Sequence, residues 1–353
     1  MVAYIHHVRI DEFRTIKDLD IDLRPKPEDV QGFRHLILTG PNGSGKSSTL
    51  LFLAQSINQR RRDVITWSTA PVETTVVMIM AHRPLHLDDV RGPLKVEFPA
   101  GMNVRNQSAK FLLQYLVNRK TEAAFANLAK NSAQEAEIQA WFDQFQDNLR
   151  WLFEDTALVL EFDSKNFDFK IHRGDGSIHG FQHLADGHAS FLAILAEILL
   201  GIEATRVASG VVILDEIESH LHLRLQEQAL PFLTSLFPGF QFITATHSPA
   251  VISSVPDAVV YDMARHKATP SEEFVGVPFG TLMTAHFKMP SEFDLDSTTK
   301  LEELRSLAVT VAQPAKDERC QELAGLLSRR SSTLAYEVWR ILHEPKPTRG
   351  QDD

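Results

Sequence analysis

The feature that most constrains this chain is a glycine-rich segment from Gly40 to Ser47, which reads GPNGSGKS. It fits the pattern G-x-x-x-x-G-K-[ST], follows the apolar run His35–Thr39, and precedes residues whose apolar positions recur at helical spacing. Glycines in such a loop let successive backbone N–H groups point at phosphate oxygens, and the helix that follows adds a favourable dipole. The segment therefore predicts a phosphate-binding loop (P-loop) between a strand and a helix.

Individual side chains of this loop have predicted roles toward a nucleotide. We expect Lys46 to reach the β- and γ-phosphates of ATP and the Ser47 hydroxyl to bind Mg²⁺. The predicted nucleotide-binding residues are Gly40, Asn42, Gly43, Ser44, Gly45, Lys46, Ser47 and Ser48. The sequence thus predicts ATP and Mg²⁺ as cofactors.

A second segment supplies acidic residues at the end of an apolar strand. The run Val211–Leu214 is continuously apolar, as in a strand that is covered on both faces, and Asp215 and Glu216 follow it. Two carboxylates in such a position are costly to bury unless a cation or hydrogen bonds compensate them. Beside a P-loop, we expect Asp215 to bind the metal and Glu216 to polarise the attacking water.

Two further segments are candidates for contact with the γ-phosphate. His247 stands just beyond the apolar run Phe240–Ala245, where it can donate a hydrogen bond to a phosphate. Asp186, Gly187 and His188 open a predicted helix, whose N-terminus is suited to a phosphate of a nucleotide held by a second subunit. An ordinary helix start is the alternative interpretation of this second segment.

The order of apolar patterns predicts an α/β fold with helical additions. Residues 1–106 are predicted to form an ATPase lobe with the P-loop, and residues 156–265 a lobe with the helix start at Leu184–His188, called the signature segment below, the acidic strand and His247. Between them, residues 107–155 carry apolar side chains every three or four positions, which predicts an inserted helical subdomain. Residues 266–353 are predicted to be mostly helical. Amphipathic segments in this last region lie at 298–312, 317–329 and 332–343.

Composition is that of an ordinary globular protein. The 353 residues carry a formal charge of −10, with 43% hydrophobic and 23% charged residues, which excludes disordered and fibrous classes. Because Cys320 is the single cysteine, an intrachain disulfide and a cysteine-based zinc site are excluded and a reducing compartment is favoured. The apolar run Phe191–Ile202 is too short to cross a bilayer and no signal-peptide pattern is visible, so we expect a cytoplasmic protein without a membrane partner.

Taken together, these segments resemble the ABC-type ATPase heads of the SMC, RecF and OLD group. Residues Ile5–Ile16 are similar to the opening strand and "FR" turn of that group. The segments Leu214–His222 and Leu236–Pro249 are most similar to the OLD-like ATPases of bacterial antiphage systems such as Septu, PARIS and retron systems. The resemblance covers residues 1–60 and 180–262. It implies head-to-head dimerisation on ATP, with two nucleotides held between P-loop and signature helix.

Three features depart from that family pattern. The family signature is usually Leu-Ser-x-Gly, whereas Ala185 stands in the place of the serine, for which Ser190 is a candidate substitute. No glutamine lies between Ser68 and Asn106, so the usual Q-loop cannot be assigned, and Arg83 is the candidate phosphate contact there. The segment between P-loop and signature is also too short for the coiled-coil arms of SMC proteins.

The remaining motifs each have two interpretations. His220 and His222 correspond by resemblance to an inter-subunit loop near the partner's nucleotide, and metal ligation is the alternative. Arg60–Arg62 end the predicted P-loop helix, where cations are favoured by the helix dipole, and contact with DNA is the alternative. The Asp-x-Asp at Asp294–Asp296 has no strand pattern around it, so a fused nuclease domain is not predicted.

The expected function is therefore a cytosolic, Mg²⁺-dependent ABC-type ATPase that forms a homodimer or higher oligomer on ATP. Because no effector domain is recognised, we expect it to control a separate nuclease or toxin in antiphage defence, with DNA or a phage protein as candidate trigger. A RecF-type DNA-repair ATPase that binds DNA directly is the main alternative. A transporter nucleotide-binding subunit and a scaffold that binds ATP without hydrolysis are the others.

Overall fold

The computed structural model describes residues 3–27, 32–70, 74–95, 109–287, 289, 291–311 and 314–343. The chain divides into two compact units, Met1–Val277 and Pro278–Asp353. The first unit continues past the expected boundary at residue 265, because the strand Lys267–Pro270 pairs antiparallel with Ala258–Asp262. Residues 107 and 108 of the predicted helical insertion, and residue 312 of the predicted helix 298–312, lie outside the described residues.

The first unit alternates strands and helices. Its strands are β1 (Ile5–Phe13), β2 (Ile16–Asp22), β3 (His35–Thr39), β4 (Ile65–Trp67), β5 (Thr75–Ile79), β6 (Val159–Asp163), β7 (Asp168–His172), β8 (Ile178–Gly180), β9 (Gly210–Asp215), β10 (Phe240–Ala245), β11 (Ala258–Asp262) and β12 (Lys267–Pro270). Its helices are α1 (Lys46–Asn58), α2 (Leu112–Leu128), α3 (Ser132–Phe153), α4 (Asp186–Thr205), α5 (Leu223–Leu236) and α6 (Pro249–Ile252).

The central sheet has six strands in the order β12-β11-β3-β10-β9-β5, and all neighbours except β12 are parallel. Every residue of β3, β9, β10 and β11 is buried, which is why these strands read as apolar runs rather than alternating ones. In the register, Ala245 of β10 lies opposite Leu38 of β3 and Asp215 of β9. The carboxyl ends of these three strands therefore meet at one edge of the sheet, where ligands of open α/β sheets bind.

Two smaller antiparallel sheets accompany the central one. Strands β2, β1 and β4 form the first, whose buried aliphatic residues join the core around α1. Strands β6, β7 and β8 form the second. The sequence pattern predicts the β6–β7 pair but not β8, which is only three residues long and has no buried residue.

The helical insertion is an antiparallel pair, α2 and α3, with an aromatic core. Trp141 packs edge-on to Tyr115 at 5.6 Å between ring centroids and stacks on Phe145 at 5.4 Å. At the end of α3, Trp151 stacks on Phe232 of α5 at 3.8 Å. The aromatic residues of the insertion thus build its core and also anchor it to the ATPase lobe.

The second unit contains α7 (Phe279–Ala285), α8 (Leu295–Thr310), α9 (Glu318–Ser328) and α10 (Ser332–His343). The side chains of Asp294 and Asp317 cap α8 and α9 by accepting backbone N–H groups. Leu304, Cys320 and Leu323 are fully buried in the small core that α8, α9 and α10 share. The three amphipathic segments of the sequence therefore fold as a helical unit.

Helix α4 is longer than the apolar run Phe191–Ile202 predicts. It has 20 residues with a mean hydropathy of 1.5 in its most apolar stretch, and within the described part of the chain it is the one helix long and apolar enough to cross a bilayer. Of that stretch, 56% is buried inside the protein, and Glu197 in its middle accepts a hydrogen bond from the Ala109 N–H. Core helices of globular proteins pass the same test, so length and composition alone are weak evidence for a span.

Gly210, at the start of β9, offers a sharp test of the central sheet. A Cβ added there would lie 1.9 Å from the backbone oxygen of Thr75 on the neighbouring β5. Because a backbone group cannot rotate away, we expect Gly210→Ala to destabilise the protein by about 3 kcal/mol or more. Gly325→Ala in α9, where no described atom lies within 4 Å of the new Cβ, should instead stabilise its helix by about 0.5–1 kcal/mol. Thermal unfolding measures both, and an unchanged Tm for Gly210→Ala would contradict the β5–β9 pairing.

Candidate functional site

A cavity of about 350 Å³ lies at the carboxyl edge of the central sheet. Its lining residues are Arg14, Thr15, Asn42, Gly43, Gly45, Lys46, Ser47, Ser48, Glu216 and His247. The fold thus brings together the predicted P-loop, the predicted water-polarising carboxylate and the predicted histidine. Asp186, Gly187 and His188 do not line it. A larger, open groove of about 720 Å³ between α2 and α3 is lined mainly by small and uncharged side chains and carries no cation for a phosphate.

The backbone of the P-loop depends on its glycines. Gly40, Gly43 and Gly45 have positive φ angles of 140°, 80° and 98°, and Gly45 is the N-cap of α1. A Cβ at Gly45 would lie 3.1 Å from the side chain of Ile16, and one at Gly40 would lie 2.9 Å from the Ser44 hydroxyl. The conformation disfavours ordinary side chains at all three positions, and close packing adds to this at Gly40 and Gly45.

Lys46 curls over the P-loop. Its Nζ donates hydrogen bonds to the backbone oxygens of Gly40 at 2.9 Å and Pro41 at 3.0 Å. Burial lowers the pKa of Lys46, while the nearby carboxylates of Asp215 and Glu216 raise it. The ammonium group is thus held over the loop by weak neutral acceptors, which phosphate oxygens can replace with stronger, charge-assisted bonds.

Asp215 ends β9 directly beneath this loop and is 4% exposed. Burial raises the pKa of its carboxyl, and a hydrogen bond from the Ser47 hydroxyl and the positive charge of Lys46 oppose that rise. The Asp215 Oδ1 atom is buried and accepts no hydrogen bond from any described residue. A buried, unsatisfied carboxylate oxygen beside a serine hydroxyl fits the hard oxygen ligands that Mg²⁺ prefers, so the two predicted metal ligands suit the ion.

Glu216 follows Asp215 in a left-handed backbone conformation, with φ of 48°. Its backbone N–H donates to the Ala245 oxygen at 3.0 Å, which ties the end of β9 to the end of β10. Its Oε2 atom accepts a hydrogen bond from the Ser219 hydroxyl at 2.9 Å. A non-glycine residue in this region is strained, and such strain concentrates at functional sites.

Glu218 is a further residue of the site, and the sequence motifs do not point to it. Its Oε1 atom accepts the backbone N–H of His247 at 2.6 Å, and its Oε2 atom is buried without a hydrogen bond from the described residues. The Ser248 hydroxyl, one residue on, donates to the Gln226 oxygen at 2.8 Å. The signal in the sequence is the third acid of the segment DEIE, whose partner only the fold supplies.

Arg14 and Thr15 also line the cavity without having been predicted as site residues. Arg14 has φ of 55°, its guanidinium lies 5.2 Å from the ring centre of Phe13, and its Nη1 donates to the Ser48 hydroxyl at 3.4 Å. Phe13 in turn stacks on Phe52 of α1 at 4.2 Å between ring centres. The "FR" turn of the opening strand therefore places a cation at the rim of the P-loop.

Arg83, the candidate phosphate contact, lies elsewhere. It is 2% exposed and does not line the cavity. Its guanidinium donates to backbone oxygens of the segment Asp215–Ile217 and to the Ser190 hydroxyl. All its donors are engaged inside the protein, so neither Arg83 nor the 2% exposed Ser190 is placed as the phosphate ligand that the sequence pattern suggests.

The signature segment, Leu184–His188 at the start of α4, lies close to the segment that follows β9, and part of it is exposed. Ala185 and Asp186 are exposed, and Ala185 is an N-cap without a side-chain acceptor for the first N–H groups of α4. A Cβ at Gly187 would lie 2.7 Å from the backbone oxygen of His220, so this glycine permits a close approach of the two segments. His188 stacks on Phe153 at 4.3 Å, and burial, with Arg173 nearby, lowers its pKa.

The alternative interpretation of His220 and His222 is that they ligate a metal ion, which would need further ligands nearby. Within the described ranges, no group of three or more His, Cys, Asp or Glu side chains could hold a metal ion.

The mostly parallel sheet, the P-loop between β3 and α1, and the acidic end of β9 define a mixed α/β fold of the P-loop ATPase class.

Comparison with known proteins agrees with this class. Residues 112–253 match the family described as "AAA domain, putative AbiEii toxin, Type IV TA system". The chain is 24% identical over 289 residues to the Septu protein PtuA of Bacillus mycoides (strain KBAB4), covering 73% of this chain and 40% of that protein. It is 25% identical over 173 residues to the Retron Vc95 probable ATPase of Vibrio cholerae serotype O1 biovar El Tor, covering 45% of this chain and 34% of that protein. Its homologues thus include a Septu protein and a retron ATPase.

The chain spans less than half the length of these curated relatives. Among solved structures, it is similar to the Smc head bound to the C-winged helix domain of ScpA, with 12% identity, a TM-score of 0.42, and coverage of 76% of this chain and 99% of that one. It is also similar to a putative metal-chelate type ABC transporter in an inward-facing conformation, with 15% identity, a TM-score of 0.39, and coverage of 82% and 89%. The fold class accordingly stands on the strand order and loop positions given above.

Proposed function

We propose that this protein is a cytosolic, Mg²⁺-dependent ABC-type ATPase that assembles on ATP and controls a separate effector in antiphage defence. The observation that carries the proposal is the cavity in which Lys46, Ser47, Glu216 and His247 converge. A loop that cradles phosphate, a cation, a metal-binding pair and a carboxylate for water are the parts that phosphoryl transfer to water needs. The names of the relatives direct the proposal to antiphage systems.

Each side chain has a task in the proposed hydrolysis. Lys46 exchanges the Gly40 and Pro41 oxygens for phosphate oxygens and neutralises their charge. Glu216 accepts a hydrogen bond from the attacking water and orients it, with Ser219 holding the carboxylate. His247 donates to the γ-phosphate and so distinguishes ATP from ADP.

Mg²⁺ would be held by the Ser47 hydroxyl and the Asp215 carboxylate and would supply electrostatic stabilisation of the transferred phosphate. The chain prepares this position by burying Asp215 and leaving its Oδ1 atom free of hydrogen bonds from the described residues. The same burial excludes bulk water, which strengthens electrostatic interactions inside the site.

Assembly on ATP is proposed from the outward-facing start of α4. Ala185 caps the helix without a side-chain acceptor, so the first N–H groups of α4 have no side-chain partner at the N-cap position. Asp186 beside it is exposed. Its negative charge opposes the binding of a phosphate at this terminus. A partner's nucleotide docked at this terminus would complete the site, as the resemblance to ABC-type heads implies.

The proposal of a separate effector rests on the resemblance to Septu and retron ATPases. The described residues of the second unit form helices and a short helical turn, and they offer no acidic cluster for a metal-dependent nuclease. In the proposed scheme, the chemistry of the output belongs to a separate nuclease or toxin, as the resemblance to Septu and retron ATPases implies. A partner that recognises the ATP-bound form would link nucleotide state to output.

Affinity purification from the native host tests this proposal. The Glu216→Gln variant, purified with ATP and Mg²⁺, is expected to carry a stoichiometric nuclease-like or toxin-like protein. Because this variant does not hydrolyse ATP, it stays in the ATP-bound form that the partner recognises. Mass spectrometry identifies the chains that copurify. The matched control is Lys46→Ala, which should retain much less of the partner because it binds ATP more weakly.

Three results would contradict the proposal. Recovery of DNA alone, with a salt-sensitive affinity, would favour a DNA-repair ATPase that binds DNA directly. Recovery of an integral membrane protein would favour a transporter subunit. Binding of ATP without any hydrolysis by the wild-type protein would favour a scaffold.

A further inference from the structure

Arg83 is a buried cation that the proposed hydrolysis does not use. It follows β5, and its Nη1 and Nη2 atoms donate to the backbone oxygens of Asp215 at 3.1 Å, Glu216 at 2.9 Å and Ile217 at 3.1 Å. The same Nη1 atom also donates to the Met80 oxygen at 3.2 Å. The guanidinium therefore holds the backbone on both sides of the proposed catalytic carboxylate.

The third nitrogen of the same guanidinium, Nε, binds a residue of helix α4. Arg83 Nε donates to the hydroxyl of Ser190 in α4 at 2.9 Å, and that hydroxyl donates to the backbone oxygen of Ser219 at 3.4 Å. Both Arg83 and Ser190 are 2% exposed. Two buried side chains thus join α4 to the segment 215–219.

This contact leaves little freedom for independent motion. A guanidinium is a rigid, planar fork with five N–H donors, and those of Arg83 are engaged on two segments at once. Gly187 of α4 also packs so closely on the His220 backbone that a Cβ would lie 2.7 Å from its oxygen. A shift of α4 must therefore move the acidic segment with it or break several buried hydrogen bonds.

Electrostatics are consistent with a permanent cation at this position. Burial lowers the pKa of Arg83 to about 10, while the nearby carboxylates of Glu218, Asp215 and Glu216 raise it. The group stays protonated near neutral pH and can keep donating to the backbone oxygens. Removal of any one acceptor leaves a buried donor unsatisfied, which is costly.

We propose that Arg83 and Ser190 couple the N-terminus of α4 to Glu216, so that a partner's nucleotide at α4 positions the catalytic carboxylate. Both residues are positioning residues in this scheme, since neither lines the nucleotide cavity. The inference rests on the proposed ATPase function and deepens it by assigning the regulation of hydrolysis by assembly. Hydrolysis would then be slow in a lone subunit, in which α4 engages no partner nucleotide.

Ser190→Ala tests the coupling because it removes the link to α4 while leaving Arg83 on the acidic segment. In the full-length protein we expect kcat for ATP hydrolysis to fall about tenfold and the KM for ATP to change less than twofold. Association on ATP, measured in the Glu216→Gln background by light scattering, should persist. Amide hydrogen exchange across residues 216–219 should be faster than in the wild type without nucleotide, because a buried restraint is lost.

Ser56→Ala is the matched control. The Ser56 hydroxyl lies buried in α1 at 1% exposure and makes no hydrogen bond to the described residues, so its removal tests the loss of a buried hydroxyl alone. We expect it to behave as the wild type in kcat and in exchange. Arg83→Lys, which keeps the charge but loses the fork, should lower kcat at least as much as Ser190→Ala.

The outcomes separate the coupling from the proposed function. Wild-type kcat and wild-type exchange in both Ser190→Ala and Arg83→Lys would overturn the coupling and leave the ATPase proposal intact. A loss of ATP affinity and a general rise in exchange across the first unit would also overturn it, because Ser190 would then serve only stability. A wild-type protein that binds ATP without hydrolysing it would overturn the ATPase proposal, on which the coupling depends.

Discussion

Glu216→Gln is expected to lower kcat for ATP hydrolysis by about 10²–10⁴-fold while ATP affinity stays within about twofold of the wild type. The amide keeps the shape of the side chain and can still accept from the Ser219 hydroxyl, but it is a far weaker base toward the attacking water. Because hydrolysis is blocked after binding, the protein should accumulate as an ATP-bound dimer. Single-turnover hydrolysis and multi-angle light scattering with ATP and Mg²⁺ measure the two effects.

The control for this prediction is Glu227→Gln in α5, which makes the same charge change at an exposed position. It should hydrolyse ATP as the wild type does. A Glu216→Gln protein that remains in its nucleotide-free oligomeric state on addition of ATP would contradict assembly on ATP. Unchanged hydrolysis would instead remove Glu216 from the catalytic role.

Lys46→Ala is expected to weaken ATP binding by about 10–100-fold, the loss that corresponds to one or two charge-assisted hydrogen bonds. Lys46 is the cation that lies over the P-loop, and two backbone oxygens of that loop hold it in place. The negative charges of Asp215 and Glu216 lie near Lys46. Without the positive charge of Lys46, these two carboxylates repel the phosphates more strongly. Isothermal titration with ATP in the presence of Mg²⁺ measures the affinity.

Lys165→Ala, at an exposed position after β6, is the matched loss of a lysine and should bind ATP normally. A melting curve should accompany both variants, since Lys46 is buried and its removal also changes packing. Wild-type ATP affinity in a folded Lys46→Ala protein would exclude the P-loop cavity as the nucleotide site.

Local chemistry determined the parts of this protein that the sequence predicts well. The P-loop is readable because its glycines are required by positive φ angles within a few consecutive residues. The strands β3 and β10 have the predicted bounds, since buried strands read as apolar runs ended by polar residues. Helices α8, α9 and α10 of the second unit follow from the apolar spacing of the segments 298–312, 317–329 and 332–343, whereas α7 is not predicted.

Other features depend on partners that are distant in sequence. Strand β11 is a five-residue apolar run, which periodicity alone cannot distinguish from part of a buried helix, and its pairing with β12 extended the first unit past residue 265. The surroundings of Arg83, the candidate phosphate contact, are likewise not visible in the sequence. Its position beyond a strand end is visible in the sequence, whereas the Ser190 hydroxyl and the backbone oxygens that bind it are not.

The sequence by itself determined the phosphate-binding loop, the acidic strand end and the α/β class, because each arises from residue types at short spacing. Only the tertiary structure decided that β10 lies between β3 and β9 and so brings His247 into the same cavity as Lys46 and Glu216. It also decided that Glu218 holds the His247 backbone. Strand order and side-chain partners are set by packing between segments far apart in the chain, where the local pattern of residue types carries no information about the neighbour.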